Sequence, residues 1–128
     1  MTLEAALRMY LVSDSAVQAL VGERVHTQTM PQGEVLPAIT FQRVSTVAVN
    51  SRADNSFGQV RVQIDGWADS DWETKALRAA IRSAMKGFKM ASGPRVSGAR
   101  LRDSRDLHDQ ETRRWRVLMD YMIWCDEG

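Results

Sequence analysis

The chain has 128 residues, 44% of them hydrophobic and 26% charged, which is typical of one globular domain spanning residues 1–128. Seventeen basic residues against sixteen acidic ones give a net charge of +1, which argues against a dedicated nucleic-acid-binding protein. The single cysteine, Cys125, excludes an internal disulfide and favours a reducing, intracellular setting. No stretch has the ~18 apolar residues of a membrane span, so we predict no membrane partner.

The N-terminal part predicts two helices followed by two strands. Apolar residues at helical spacing predict a helix over residues 3–12, with Thr2 as its cap. A second short helix begins at Asp14 and ends at Gly22, because glycine enters the left-handed region without cost. Residues 23–28 favour a short strand, "MPQGEVLP" a loop, and residues 38–45 a second strand.

A long connection comes next. Residues 46–57 separate two predicted strands, and twelve residues is long for such a link, which predicts a functional or disordered loop. The stretch "GQVRVQIDGWADSDWE" then alternates apolar and polar residues over 60–68, as a half-buried strand does. Ser70 and Glu73 have the spacing of a capping box and mark the start of a helix running to Lys86.

The C-terminal part predicts a helix packed on a second β-hairpin. The predicted apolar stripe of the helix comprises Trp72, Ala76, Leu77, Ala80, Ile81, Ala84 and Met85. A strand over 96–103, a polar tip over 104–111 and a strictly alternating strand over 112–125 follow. The sum is an α+β fold, with a single mainly antiparallel sheet of four to five strands and helices on one face.

Reactive groups do not form a recognisable catalytic or metal-binding pattern. His26 and His108 have no ligand at metal-binding spacing, and Cys125 lies in the inward phase of the last strand, as a buried thiol would. Asp65 and Asp69 flank the strand–helix junction, where solvation and the helix dipole explain them better than acid–base chemistry. We therefore predict no enzyme, no cofactor and no metal.

Two charged surfaces exceed what a small monomer needs. The basic ridge of the long helix comprises Lys75, Arg78, Arg82 and Lys86. The acidic tip of the second hairpin comprises Asp103, Asp106, Asp109 and Glu111. Either set can be a solvated face, but a ridge that meets the acidic tip of another copy would form a heterologous contact, and such contacts close into rings.

The polar face of the sheet carries five arginines. They are Arg61, Arg100, Arg102, Arg114 and Arg116. This face can meet DNA, a partner protein or water alone. Trp67 and Trp124 share its phase near strand ends, but aromatic residues that could stack on bases are otherwise scarce.

Four segments in this order resemble the tail completion family of long-tailed phages, also called tail terminator or tail-to-head joining proteins. They are "LEAALRMYLVSDSAVQALVGERVH", "MPQGEVLPAITFQRVS", "VRVQIDGWADSDWETKALRAAIRSAM" and "RRWRVLMDYMIWC". The resemblance implies a virion protein that assembles in the host cytoplasm and forms a ring, generally hexameric, on the head-proximal end of the tail tube. Its implied partners are copies of itself, the tube protein and the head connector or a head-completion protein, with DNA only as passing cargo.

The long connection acquires a role from this resemblance. We expect residues 46–57 to contact the tube or the connector and to order on binding, as segments that fold on binding do. The residues assigned to this contact are Val47, Val49, Asn50, Arg52, Asp54 and Phe57. An ordinary flexible hairpin is the alternative.

Three other functions stay open on sequence alone. A head-completion or neck adaptor protein could share this fold and polarity. A nucleic-acid-binding domain could use the arginine-rich face of the sheet. A small enzyme would have to assemble its site from Asp65, His26 and Ser70, at spacings that support no known constellation.

Overall fold

One five-stranded sheet with three helices on one face makes up the computed structural model over residues 1–48 and 57–127, the part of the chain that it describes. The elements are α1 (Leu3–Ser13), α2 (Ser15–Val21), β1 (Val25–Thr27), β2 (Ala38–Ala48), β3 (Phe57–Ala68), α3 (Asp71–Lys86), β4 (Arg95–Asp109) and β5 (Arg114–Asp126). The strand order is β1-β2-β3-β5-β4, with β1 parallel to β2 and the other pairs antiparallel. The predicted α+β fold is confirmed.

The helix starts are set by local side chains, as their spacing predicts. Thr2 Oγ1 accepts a hydrogen bond from the Ala5 amide at 3.1 Å, and Asp14 accepts one from the Val17 amide at 3.1 Å. Ser70 Oγ accepts one from the Glu73 amide at 3.2 Å, which completes the capping box of α3. Each bond satisfies an amide that has no partner inside its helix.

The core lies between the helices and the inward face of the sheet. Its largest fully buried side chains are Phe41, Phe88, Leu3, Leu7, Leu11, Ile39, Ile64, Leu77, Ile81, Met85, Met119 and Ile123. Gly66 of β3 sits under α3, and a methyl group added there would lie 2.9 Å from Val117 Cγ1 and 3.2 Å from Leu77 Cδ1. The absence of a side chain at Gly66 therefore lets α3 approach the sheet closely.

Trp72 is not part of the helix stripe, and its prediction as a core residue was wrong. Its side chain is 80% exposed. Trp72 precedes Ile81 by nine residues, which at 3.6 residues per turn places it about 180° round the helix from that buried residue. Thr74, which is 2% exposed, takes the sheet-facing position of the first turn.

Two predicted loops are shorter than their polarity suggests. β4 continues to Asp109, so most of the segment 104–111 is strand and the turn of the second hairpin falls within 110–113. β2 continues to Ala48 and β3 begins at Phe57, so the predicted loop 46–57 includes ends of both strands, and residues 49–56 lie outside the described part. In segment 104–109 the polar residues belong to an exposed strand rather than to a turn, because cross-strand backbone hydrogen bonds hold that strand extended.

Candidate assembly surfaces

The basic ridge and the acidic tip meet within one chain. Arg78 donates a hydrogen bond to Asp106 Oδ1 at 2.7 Å, although 28 residues separate them. Asp106 lies opposite Val117 in the β4–β5 ladder, and therefore faces α3 with that buried valine. Lys75 pairs with Asp71 at 2.9 Å, one turn away on the same helix. Half of the ridge is thus neutralised internally.

The other half of the ridge lines a positively charged cleft. Arg82 and Lys86 of α3 and Arg100 of β4 border it, and none of the three has a carboxylate within 4 Å among the described residues. We name these three residues the cationic cleft. Arg100 lies opposite Met122 and so shares the outer face with Arg61, as the sequence predicted, and as an edge-strand residue it also borders the cleft on the helix side.

A buried hydroxyl adjoins the cationic cleft. Tyr121 is 2% exposed, it borders the cleft, and its hydroxyl has no hydrogen-bond partner in the described part of the chain. Burial raises its pKa to about 12, so the hydroxyl stays neutral. Three cations beside an unused donor make this cleft suited to a carboxylate or another anionic group.

The acidic tip is spread along β4 rather than gathered in a turn. Asp103 accepts a hydrogen bond from Arg105 Nε at 2.9 Å. Asp109 accepts one from the Glu111 amide at 3.0 Å, and a hydrogen bond with Thr112 lowers its pKa. His108, predicted to lie in a solvated turn, instead belongs to β4 and stacks on Trp115 with ring centroids 4.1 Å apart.

Ion pairs neutralise two of the five arginines on the outer face of the sheet. Arg61 donates three hydrogen bonds to Asp120, at 2.9, 3.0 and 3.1 Å. Arg116 donates to Asp65 at 2.7 Å and lies over the Trp67 ring, 4.7 Å from its centroid. In the described part of the chain no carboxylate lies within 4 Å of the other three, Arg100, Arg102 and Arg114.

Asp65 is buried and paired, which corrects its prediction as a solvated residue. It is 7% exposed, because two neighbouring side chains cover it. Arg116 reaches it diagonally from β5, and Gln63 of the same strand donates to both of its oxygens at 3.2 Å. Trp67 Nε1 donates to Thr40 Oγ1 at 2.9 Å beside this pair. The network fixes the outer face near the C-terminal end of β3 as a rigid surface.

Two exposed valines lie in the described part of the β2–β3 hairpin, toward the end of β2. Val47 is 60% exposed in β2, and Val44 is 47% exposed at a bulge between Arg43 and Ser45. Phe57 begins β3. The predicted contact residues Val49, Asn50, Arg52 and Asp54 lie outside the described residues.

Comparison with known proteins decides the family. The model of the family described as "Tail completion protein gp17" matches residues 5–126. The chain belongs to this tail completion family. It is therefore a structural protein of a phage tail and assembles with other structural proteins of the particle, as the sequence resemblance implied.

The fold of this tail completion protein recurs in a solved assembly. A chain in the structure titled "Virion of native gene transfer agent (GTA) particle" superposes with a TM-score of 0.83. The two sequences are 19% identical, and the match covers 97% of this chain and 94% of that one. A search of curated protein sequences gave no match.

The residues considered for enzyme chemistry in the tail completion protein serve structural contacts. His26 bonds to Glu34, Asp65 pairs with Arg116, and Ser70 caps α3. Cys125 is buried as predicted, and burial raises its thiol pKa to about 11. Over residues 1–48 and 57–127, no group of three or more His, Cys, Asp or Glu could hold a metal ion, and no helix is long and apolar enough to cross a membrane.

One charged cluster of the tail completion protein escaped the sequence analysis. Arg43 of β2 pairs with Glu4 of α1 at 2.7 Å and with Glu127 at 2.9 Å, and Glu127 also accepts the Leu3 amide at 3.0 Å. Arg43 holds the Glu127 pKa below its usual range. The only sign of this cluster in the sequence is a charged residue, Arg43, at an inward position of a strand. That position does not identify the residues with which Arg43 pairs.

Proposed function

We propose that this tail completion protein, folded as one domain over residues 1–128, forms a hexameric ring at the head-proximal end of the tail tube. The ring ends tube polymerisation and joins the tail to the head connector, and DNA passes through its lumen without being read. Assembly takes place in the host cytoplasm. The observation that carries the proposal is the family match over residues 5–126. The likeness to a chain of a virion particle supports it, because such particles are built from repeated subunits.

The subunit contact we propose uses the charges that the chain leaves unpaired. The sequence assigned it to the whole ridge and tip, but Arg78 and Asp106 already neutralise each other within the chain. The cationic cleft therefore supplies the positive side of the contact, through Arg82 and Lys86. Glu111, exposed in the turn of the second hairpin, supplies a carboxylate from the next subunit.

The remaining surfaces divide between tube, connector and lumen in this proposal. The end of the β2–β3 hairpin, with exposed Val44 and Val47, meets the tube or the connector. The unpaired arginines Arg100, Arg102 and Arg114 face the lumen or a partner. Arg61 and Arg116 contribute less charge there, because each is paired with an aspartate.

Electron microscopy of lysates from a phage that lacks this gene tests the proposal. We expect overlong or unfinished tails that do not join heads, and normal joined particles after expression of the protein in trans. Tails of normal length beside leaking heads would instead assign the protein to head completion or to a neck adaptor. As a control, the Val35→Ala variant is expressed in trans and should also restore joined particles. Val35 is exposed in the β1–β2 loop, away from the proposed contacts.

A further inference from the structure

An apolar groove lies beside α1 and shares no lining residue with the cationic cleft. Its large apolar lining residues are Met1, Met9, Tyr10 and Met90, and its volume is about 450 Å³. Met9 is 56% exposed and Met1 is 64% exposed. Methionine side chains are flexible and polarizable, so such a groove adapts to an inserted aromatic ring.

Trp72 is an exposed aromatic side chain at the other end of the molecule. It is 80% exposed in the first turn of α3, where no core contact accounts for it. The groove borders the last turn of the same helix, since a methyl group added at Gly87 would lie 3.2 Å from the Tyr10 hydroxyl. Fourteen residues separate Trp72 from Lys86, or about 21 Å of helix. Trp72 therefore cannot reach the groove of its own chain.

The charges around the two features are complementary. The acidic residues closest to Trp72 in sequence are Asp69, Asp71 and Glu73, against one cation, Lys75, which pairs with Asp71. At the other end of α3, Lys89 is exposed and adjoins Met90 of the groove in sequence, and Lys86 of the cationic cleft lies at the same helix end. Neither lysine has a carboxylate within 4 Å in the described part of the chain. One end of α3 therefore carries an exposed aromatic side chain among acidic residues, and the other end lies beside an apolar groove and two lysines.

We infer that Trp72 of one copy of this chain inserts into the groove of a second copy. The contact is heterologous, because it joins two different surfaces, and repetition of such a contact builds rings or stacks. Binding hot spots are enriched in tryptophan and cluster near the centre of an interface. The inference rests on the proposed function only in that repeated contacts close into a ring. The contact between two copies can be measured separately.

Cysteine cross-linking tests the contact. Trp72 is kept, and Lys75→Cys, about one turn along α3 from it, and Met9→Cys variants are made separately, with Val35→Cys as the exposed control for each. Cys125 adds little background, because it is 1% exposed and its thiol pKa is raised to about 11. Each variant is oxidised alone, and then the two are oxidised as a mixture, in solution and on isolated tails. We expect cross-linked dimers only from the Lys75→Cys and Met9→Cys mixture, and a ladder of higher species from the double variant.

The outcomes separate this contact from the proposed ring. A yield from the mixture no greater than that with Val35→Cys overturns the inference, even where oligomers persist through other surfaces. Dimers of Lys75→Cys alone also overturn it, because they require an isologous contact. Trp72→Ala gives a second readout: Trp72 is exposed, so the variant folds, and we expect its self-association to weaken about thirtyfold. An unchanged association constant counts against the contact.

Discussion

Substitution of Gly66 by alanine tests the close approach of α3 to the sheet. The added methyl group would lie 2.9 Å from Val117 Cγ1 and 3.2 and 3.3 Å from two atoms of Leu77, and both neighbours are fully buried. Carbon atoms in van der Waals contact prefer about 3.5–4.0 Å, so the Val117 side chain must shift within the sheet and α3 must move away at Leu77 by a few tenths of an ångström. Overpacking of this kind costs about 1–3 kcal/mol. Loss of glycine's freedom in the unfolded chain returns about 0.4–1 kcal/mol, which leaves a net loss of roughly 1–2 kcal/mol.

Urea unfolding measures that loss as a lower midpoint at unchanged slope. Gly98→Ala is the matched control, because Gly98 lies in β4 of the same sheet and has no atom within 4 Å of an added methyl group. We expect the control to be neutral or slightly stabilising. Val117→Ala combined with Gly66→Ala should lose less stability than the sum of the single changes, because it removes the 2.9 Å contact. Equal stabilities of Gly66→Ala and Gly98→Ala would refute the packing argument.

Three further changes probe the charged and polar groups. Arg82→Glu with Lys86→Glu should shift self-association toward the monomer by light scattering at low salt, whereas the fold, by circular dichroism, stays intact because both side chains are exposed. Tyr121→Phe should leave the free energy of unfolding unchanged or slightly higher, because the buried hydroxyl it removes has no partner in the described part of the chain; a loss above about 1 kcal/mol would mean that the hydroxyl is bonded. Arg43→Met should destabilise the protein at pH 7 more than at pH 3: Glu127 has a folded pKa below 4.5, so its ion pair stabilises above that value and is lost as the pH falls through the folded pKa.

The parts of the fold that depend on neighbours in sequence could be predicted. Ser70 and Glu73 are three residues apart, so their capping box is readable without any tertiary information. The alternation that predicts β5 also holds, since Val117 and Ile123 are both fully buried. A glycine inside a strand, such as Gly66, also indicates close packing from the sequence alone, because it leaves space for a neighbour.

The charged surfaces could not be predicted, because the pairing partners depend on strand register. β4 has two register shifts, between Val96 and Gly98 and between Leu101 and Asp103. Each shift reverses which residues face the helices, so simple alternation from Val96 gives the wrong face between the two shifts, where Ala99 and Leu101 face inward. The second shift restores the phase, so Asp106 faces α3 and reaches Arg78 inside the chain, where the sequence alone suggested a contact between chains.

The two proposed subunit contacts differ in their sensitivity to salt, so one salt titration can compare their contributions to binding. A contact between the cationic cleft and Glu111 is an exposed charge interaction, and at 1 M salt the screening length falls to about 3 Å. A contact between Trp72 and the groove buries apolar surface, so salt screens only the charges around it and weakens it less. Dissociation of the wild-type oligomer between low and high salt would therefore assign most of the binding energy to the cleft. An oligomer that persists in high salt and dissociates on Trp72→Ala would assign it to the groove, and one that persists through both changes would contradict both contacts.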